Sequence, residues 1–251
     1  MGRLEVPNQP YLDSSVAWRI RAGRVPFHEP GFEEVAEAIV ASGIAERVER
    51  RIGSGKEADV YLCVDREQPL AVKFYRLYRT SHRGGGTVKP ESTGQLASRE
   101  LELLYYAWRG GAPVPEPGER FENMFAMEYL GSADGPAPTL NRAPLRRPGP
   151  FLEATLAGID ALLRAGIVHS DLSPFNILVH RDAPWFIDLA AGVRVDRLGT
   201  SPWQRLSEAS RSLEHGLRTL ERHFRKYGLR IDVDRRLHEW VDRIDRFGVL
   251  R

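Results

Sequence analysis

The spacing of apolar residues changes along the chain, and this change most constrains the fold. Around Val60, Leu62 and Val64, and again at residues 71–75, neighbouring side chains alternate with a period of two, which predicts strands. From residue 151 the period is helical, with a mostly apolar stripe formed by Leu152, Thr155, Leu156, Ile159, Leu162 and Leu163. A strand-rich first part followed by a helical second part predicts an α+β fold.

Other segments complete the first half of this layout. A helix is expected at residues 32–43, ending at Gly43, and strands are expected at residues 120–130. Residues 79–95 are rich in Gly, Ser and Thr and predict a mobile loop. The helix after this loop has a predicted apolar stripe at Leu101, Leu104, Tyr105 and Trp108.

The second half begins with a connection and ends in helices. Residues 131–150 are rich in Pro and Gly and predict a connection between two lobes. Short strands at 176–179 and 185–187 flank a turn, and further helices start near Pro202. We therefore expect an N-terminal extension at residues 1–45, an N-terminal lobe at 46–130 and a C-terminal lobe at 131–251.

Composition excludes several classes of protein. The single cysteine, Cys63, excludes an intramolecular disulfide and fits a reducing compartment, so we expect a cytoplasmic protein. We expect no membrane partner, because the chain has no run of about eighteen apolar residues. The formal net charge of +2 is too small to argue by itself for nucleic acid.

A glycine-rich stretch lies between the first predicted strands. Small residues at Gly53, Ser54 and Gly55, followed by Lys56, would let backbone N–H groups approach phosphate oxygens. An ordinary hairpin turn is the alternative. Downstream, Lys73 lies within an apolar alternating run, where a lysine needs a partner or an exit to water. A lysine on an edge strand is the alternative there.

A partner for Lys73 is expected on the next helix. Glu100 and Glu102 both qualify by position. Glu100 is the better candidate, because it neighbours the predicted apolar stripe at Leu104 and Trp108 whereas Glu102 points elsewhere. Such a pair would hold the lysine at the α- and β-phosphates of a nucleotide.

The stretch from His169 to Asn176, followed by Asp188 at the end of an apolar run, predicts phosphoryl transfer. Asp171 would orient an attacking oxygen and accept its proton, whereas Asn176 and Asp188 would hold Mg²⁺ on the phosphates. A helix-ending turn with polar caps is the alternative for any one of these residues. We expect His169 to be structural, bonding backbone near Asp188.

At this point the chain resembles the RIO-type atypical protein kinases, over about residues 48–228. The most specific parts of this resemblance are the Gly-Lys-Glu-Ala loop and the Asp-Leu-Ser-x-x-Asn string. The matching residues are Gly55, Lys56, Glu57, Ala58, Val60, Tyr61, Ala71, Val72, Lys73, Pro113, Pro115, Glu116, Pro117, His169, Asp171, Leu172, Ser173, Asn176, Ile187 and Asp188.

The resemblance implies a two-lobed protein-kinase-like fold that uses ATP with Mg²⁺, or with Mn²⁺ in its place, and phosphorylates serine, including its own. It assigns Asp171 as the base, Asn176 and Asp188 as metal ligands, and Asp188 also as a phosphate acceptor in an ATPase cycle. Residues 127–131 would then link the lobes, and backbone groups there, at Met127, Glu128 and Leu130, would meet the adenine edge.

The family also suggests partners and a subgroup. Archaeal and eukaryotic relatives act in maturation of the small ribosomal subunit, so a ribosomal particle or rRNA is an expected partner. Because the N-terminal extension is too short for a winged-helix domain, the subgroup without that domain, or a bacterial branch, is favoured. The activation segment is short or absent: no Ala-Pro-Glu follows Asp188, and a helix is expected near Pro202. The usual platform for a peptide substrate is therefore missing.

Two other functions remain alternatives. Small-molecule kinases of the aminoglycoside or choline kinase type share a His-x-Asp-x-x-x-x-Asn core, but usually carry an acidic insert where residues 131–150 are basic. A nucleotide-regulated ribosome- or RNA-binding factor would turn over little ATP and would contact RNA through arginines, with salt-sensitive binding.

Overall fold

The structure is a computed structural model that describes residues 30–55, 57–76, 92–195 and 202–244. The chain divides into two compact units. The first unit contains the described residues up to Ser98 together with Gly118–Tyr129, and the second contains Arg99–Pro117 and the described residues from Leu130 onward. The chain therefore crosses between the units within a helix, after Pro117 and after Tyr129.

The first unit is an antiparallel sheet with a helix on it. The helix is α1 (Phe32–Ala41), and the strands form a five-stranded sheet in the order β1-β2-β3-β5-β4. The strands are β1 (Arg47–Ser54), β2 (Ala58–Asp65), β3 (Gln68–Tyr75), β4 (Pro117–Phe121) and β5 (Met124–Glu128). Val35 and Ile39 of α1 pack in one apolar cluster with Tyr61, Cys63 and Val72 of the sheet.

Most of the helices and strands predicted for this unit lie where the structure has them. The predicted helix at 32–43 is α1, and Gly43 follows it with a φ of +78°, the left-handed conformation that favours glycine. The strands predicted around Val60 and at residues 71–75 are β2 and β3. Their connecting turn has positive φ at Arg66 and Glu67, the twist that suits a tight hairpin.

One helix was predicted with the wrong buried face. This helix, α2 (Ser92–Arg109), starts within the predicted loop at 79–95, of which residues 79–91 lie outside the described residues. Tyr105 and Trp108 are 41% and 40% exposed, respectively. The buried face is formed instead by Ala97, Glu100, Leu103, Leu104 and Ala107. Tyr and Trp side chains carry a polar atom and tolerate water, so the sequence is almost equally compatible with burying the predicted face and with burying the observed one.

The second unit contains the remaining helices and short strand pairs. Its main elements are α3 (Pro148–Arg164), α4 (Pro202–Phe224), a 3₁₀ turn (Arg225–Tyr227) and α5 (Val233–Ile244). Its strands are β6 (Gly131–Ser132), β7 (Gly135–Pro136), β8 (Ile167–Val168), β9 (Ile177–His180), β10 (Ala183–Phe186) and β11 (Val193–Arg194). The stripe predicted for α3 is buried at every position. In the described parts of the chain, no helix is long and apolar enough to span a membrane.

The segment at residues 131–150 is more than a connection. It forms the β6–β7 pair and a bridge from Thr139 to Leu178 of β9. The Val179 backbone N–H donates to Pro138 O over 2.8 Å, and the Leu140 N–H donates to Ile177 O over 2.7 Å. Pro and Gly composition does not reveal this, because the bonds use backbone atoms whose partners lie about forty residues away in the sequence.

Candidate active site

The 169–176 loop and Asp188 are held together by two pairs of strands. On one side β8 pairs with β11, with Val168 opposite Val193, and on the other β9 pairs with β10, with Ile177 opposite Phe186. The loop lies between β8 and β9, and Asp188 lies between β10 and β11. The two chain segments are thus tied at both ends, which limits how far Asp171, Asn176 and Asp188 can separate.

Asn176 is oriented by Asp171. Its amide Nδ2 donates to the Asp171 backbone oxygen over 2.8 Å and to Asp171 Oδ2 over 3.0 Å. Because both donors of the amide are used, its Oδ1 is the end left for another ligand. An amide oxygen and a carboxylate are ligands that Mg²⁺ accepts, usually alongside phosphate oxygens and water. Asn176 and Asp188 therefore fit the predicted metal.

His169 has the structural role expected of it. The imidazole Nε2 lies 3.0 Å from Ile187 O, the carbonyl just before Asp188. Burial lowers the pKa of His169, despite the opposing effects of that carbonyl and of the Asp188 and Asp171 carboxylates. The neutral ring then donates from Nε2 to the carbonyl and fixes the backbone at Asp188.

Asp188 begins a tight turn with an unusual backbone. Its φ is +62°, in the left-handed region that few residues other than Gly, Asn and Asp adopt. Four residues on, the Gly192 N–H donates to Leu189 O over 2.8 Å. A Cβ on Gly192 would lie 2.8 Å from that same oxygen, so only glycine fits. The backbone on both sides of Asp188 is therefore fixed, by the β9–β10 pair before it and by this turn after it.

Two arginines that the sequence analysis missed tie this turn to α2. Arg99 Nη2 donates to Gly192 O over 3.0 Å. The Arg194 guanidinium stacks 3.7 Å from the Tyr106 ring centre and lies 3.8 Å from Glu102. No motif reveals these contacts, because each joins residues far apart in sequence.

The choice between the two glutamates agrees with their burial. The Glu102 side chain is 52% exposed and forms an ion pair with Arg194, whereas Glu100 is only 3% exposed. A buried carboxylate needs a compensating partner, as a lysine would be. Glu100 belongs to the second unit and Lys73 to the first. Their pairing stays a prediction.

The 169–176 loop also rests on helix α4. Leu172 is buried, and a Cβ built on Gly216 of α4 would lie 2.7 Å from Leu172 Cβ. Glycine at position 216 therefore lets the loop approach the helix backbone closely. Leu172 directly follows Asp171, so this contact fixes the position of the expected base.

In the first unit, Lys73 lies in the middle of the sheet. Its strand, β3, is flanked by β2 and β5, with Val60 and Phe125 opposite Lys73. The edge-strand alternative is therefore wrong. Lys73 is only 8% exposed, and its Nζ lies 5.4 Å from the Tyr75 ring centre. A buried ammonium group needs a negative partner, so this position is suited to binding an anion such as a phosphate.

The glycine-rich stretch is part of the β1–β2 hairpin. Gly53 and Ser54 lie opposite Val60 and Asp59 in the ladder. The Gly55 N–H donates to Ala58 O over 2.8 Å. This N–H is used within the hairpin, and the phosphate contact expected of Gly53, Ser54 and Gly55 stays a prediction. Lys56 lies outside the described residues.

A buried ion pair that the sequence did not reveal closes this hairpin. Arg76 Nη1 lies 2.8 Å from Asp59 Oδ2, and both side chains are almost fully buried. Arg76 Nη2 donates to Gly55 O over 2.5 Å and to Ala58 O over 3.4 Å. One guanidinium thus holds both ends of the Gly55–Ala58 turn. A lone arginine after a strand carries no recognisable signal in the sequence.

The residues expected at the adenine edge have ordinary structural surroundings. Met127 and Glu128 end β5, opposite Ala71 and Leu70 of β3. The Leu130 side chain is buried, and its carbonyl accepts a hydrogen bond from the Ala137 N–H over 2.8 Å. The Leu130 carbonyl is therefore engaged within the protein, and the adenine contact stays a prediction.

Curated proteins similar to this chain are RIO kinases. It is 26% identical over 231 residues to the serine/threonine-protein kinase RIO1 of Caenorhabditis elegans, covering 85% of this chain and 44% of that protein. It is 29% identical over 204 residues to the RIO-type serine/threonine-protein kinase Rio1 of Haloferax volcanii, covering 76% of this chain and 67% of that protein. The chain thus spans less than half of the first relative and about two thirds of the second.

A solved structure resembles the fold. The Rio2 kinase of Chaetomium thermophilum, in a complex with ADP, Mg²⁺ and phosphoaspartate, matches with a TM-score of 0.62 and 19% identity, covering 94% of this chain and 80% of that chain. This likeness confirms the predicted two-lobed α+β kinase-like fold. The sequence model of the RIO domain matches residues 59–236, well over half of the chain. The chain therefore belongs to the RIO domain family.

Proposed function

We propose that this protein transfers the γ-phosphoryl group of ATP to a serine or threonine hydroxyl, including its own. The observation that carries the proposal is the bonded set of Asp171 and Asn176, with Asp188 held beside it by two strand pairs. Belonging to a family whose curated members are named serine/threonine-protein kinases supports it. An ATP substrate with Mg²⁺ fits the oxygen ligands present.

Each residue has a distinct task in this proposal. Lys73 neutralises the α- and β-phosphates, and Glu100 holds its ammonium in place. Asp171 accepts the proton of the attacking hydroxyl as that oxygen bonds the γ-phosphorus. The bond from that phosphorus to the bridging oxygen then breaks, and ADP leaves. Asn176 and Asp188 would hold Mg²⁺, which would neutralise charge on the phosphates.

Asp188 is also proposed as an acceptor. Its carboxylate oxygen would attack the γ-phosphorus, ADP would leave, and water would later hydrolyse the acyl phosphate, giving net ATP hydrolysis. The ADP/Mg²⁺-phosphoaspartate complex of the Chaetomium thermophilum protein supports this second route. The two routes use the same ATP-binding residues and differ only in the group that accepts the phosphoryl group, which is a hydroxyl in one and Asp188 in the other.

The alternatives have less support. Neither a small-molecule kinase nor an RNA-binding factor with little turnover is favoured by the relatives, whose names are those of protein kinases. A ribosomal particle or rRNA as partner and a cytoplasmic location stay proposals that rest on the family resemblance.

The proposal is tested by incubating the protein with Mg²⁺ and ATP labelled at the γ-phosphate, and then treating the labelled protein with hydroxylamine. We expect label on the protein and release of ADP. Label that hydroxylamine removes would identify an acyl phosphate and hence the Asp188 route, whereas stable label would identify serine or threonine. A protein that neither takes up label nor releases ADP would contradict the proposed function.

A further inference from the structure

The segment that follows β7 lies directly against the 169–176 loop. The Asn141 N–H donates to Pro174 O over 3.0 Å, and the Leu140 N–H donates to Ile177 O over 2.7 Å. Both residues belong to the second unit, as does the loop. Anything bound to the residues just after Asn141 is therefore held next to Asp171 and Asn176.

This segment carries exposed arginines, Arg142, Arg146 and Arg147, which we call the basic strip. Among the described residues, none of them has an ion-pair partner. Some other exposed arginines have a nearby acid, as in the pairs Arg218–Glu214 and Arg225–Glu221. Asp134 is the one acid in residues 131–150, so the strip has no counter-charge of its own.

Next to the basic strip is an exposed aromatic side chain. Phe175 is 61% exposed, more than the other exposed large hydrophobic residues whose side chains the structure describes. It lies between Pro174, which binds Asn141, and Asn176, which binds Asp171. An exposed phenyl ring in the loop that holds Asp171 and Asn176 favours contact with a bound molecule over contact with water.

We propose that Phe175 and the basic strip form the docking surface for an acidic peptide that carries the phosphate-accepting hydroxyl. The ring would contact an apolar part of the peptide beside the acceptor, and the arginines would pair with glutamate or aspartate further along it. This inference rests on the proposed phosphoryl transfer and names its substrate class. It would supply a peptide-binding surface in a chain whose sequence has no Ala-Pro-Glu after Asp188.

The size of the surface favours a peptide over RNA. From Arg142 to Arg147 the chain can span at most roughly 18 Å, the length of about six extended peptide residues. Nucleic acids bind proteins mainly through many contacts to backbone phosphates, and three arginines can make only a few such contacts. An acidic peptide needs only a few charge pairs together with one apolar contact.

The test measures binding of a fluorescein-labelled peptide with a central serine flanked on both sides by glutamates. We expect the wild-type protein to bind this peptide at low salt, more weakly at high salt, and progressively more weakly as glutamates are replaced by glutamines. A variant with Arg142→Gln, Arg146→Gln and Arg147→Gln should bind roughly tenfold more weakly. Phe175→Ala should also raise the dissociation constant.

The matched control removes the same charge elsewhere. Arg211→Gln, Arg222→Gln and Arg230→Gln together change exposed arginines of the second unit outside the strip, and this variant should bind the peptide as the wild type does. Equal loss in both triple variants would overturn the proposal, as would equal affinity for the glutamine peptide. Tighter binding of a single-stranded RNA that depends on the strip would also overturn it, in favour of RNA.

Failure of this binding test can be distinguished from failure of the phosphoryl-transfer test, for two reasons. The peptide series on the wild-type protein needs no variant to fold, and binding is measured without ATP. A protein that binds the glutamate peptide as expected, but never transfers phosphate, would support the docking surface and contradict the proposed function. One that transfers phosphate without preferring acidic peptides would contradict the docking surface alone.

Discussion

At the scale of single residues, the chemistry depends on side chains that hold other side chains. Asn176 turns its amide oxygen outward because both of its N–H groups are used by Asp171. His169 fixes the carbonyl before Asp188. The motif residues were identifiable from sequence as candidates, because their types and spacing are typical of phosphoryl transfer. The residues that support them, such as Arg76 and Arg99, were not, because they bind backbone oxygens distant in sequence.

Arg76→Lys should weaken nucleotide binding. A lysine keeps the charge near Asp59 but cannot reach Gly55 O and Ala58 O at once, so the turn is less firmly closed. We expect a several-fold higher dissociation constant for a fluorescent ATP analogue, and a free energy of unfolding lower by roughly 1–3 kcal/mol. Arg120→Lys, in which an exposed arginine bonds Glu122 O, is the control. Identical behaviour of the two variants would count against the proposed role of Arg76.

The lowered pKa of His169 predicts a pH dependence of stability. As the pH falls below about 6.5, the unfolded chain binds a proton that the folded ring resists, so the folded state loses stability. The difference in the free energy of unfolding between wild type and His169→Gln should change with pH by up to about 1.4 kcal/mol per pH unit below 6.5. Urea unfolding between pH 7.5 and 5.5 measures it.

His223, whose pKa is also lowered by burial, is present in both proteins, so its contribution cancels. A difference between wild type and His169→Gln that stays constant over this pH range would mean that the His169 ring titrates equally in the folded and unfolded states.

At the scale of elements, the sequence predicts whether a segment is a helix or a strand better than it predicts which face of a helix is buried. The stripe of α3 was read correctly, because its apolar residues leave only one face to bury. The face of α2 was wrong, because two overlapping stripes share Leu104 and only the packing of Ala97, Leu103 and Ala107 separates them. The short strands β8 and β11 were missed, since two-residue strands leave no period to detect.

Gly216→Ala should disturb the 169–176 loop through α4. Alanine in a helix interior is normally favourable by about 1 kcal/mol over glycine. Here the added carbon would lie 2.7 Å from Leu172 Cβ, and overpacking typically costs about 1–3 kcal/mol. We expect a net loss of stability and a lower kcat for ATP turnover with a smaller change in KM, measured by thermal unfolding and steady-state kinetics.

The control for this variant is Gly149→Ala at the start of α3, where an added Cβ meets nothing within 4 Å. It should be neutral or stabilising and should leave kcat unchanged. If Gly216→Ala behaves in the same way, the loop does not depend on close contact with α4.

At the scale of the whole molecule, the two units share one chain that crosses between them three times, once within α2. A helix shared in this way favours unfolding as one cooperative transition. Cys63 in the first unit is fully buried, and burial raises the pKa of its thiol to about 12, so it should react with thiol reagents only after opening.

We therefore expect urea midpoints from Cys63 labelling and from tryptophan fluorescence to coincide in a Trp18→Phe variant, whose remaining tryptophans, Trp108, Trp185, Trp203 and Trp240, belong to the second unit. An earlier midpoint for Cys63 would show that the first unit opens independently.

The central claim is that Asp171, Asn176 and Asp188 carry out phosphoryl transfer from ATP. The most direct test is single-turnover transfer of the γ-phosphate by wild type, Asp171→Ala and Glu153→Ala, an exposed glutamate of α3 serving as the control. Loss of a general base typically costs about 10²- to 10⁴-fold. We predict that Asp171→Ala loses transfer by this factor while binding ATP as tightly as wild type, and that Glu153→Ala loses nothing. Undiminished transfer by Asp171→Ala would contradict the account.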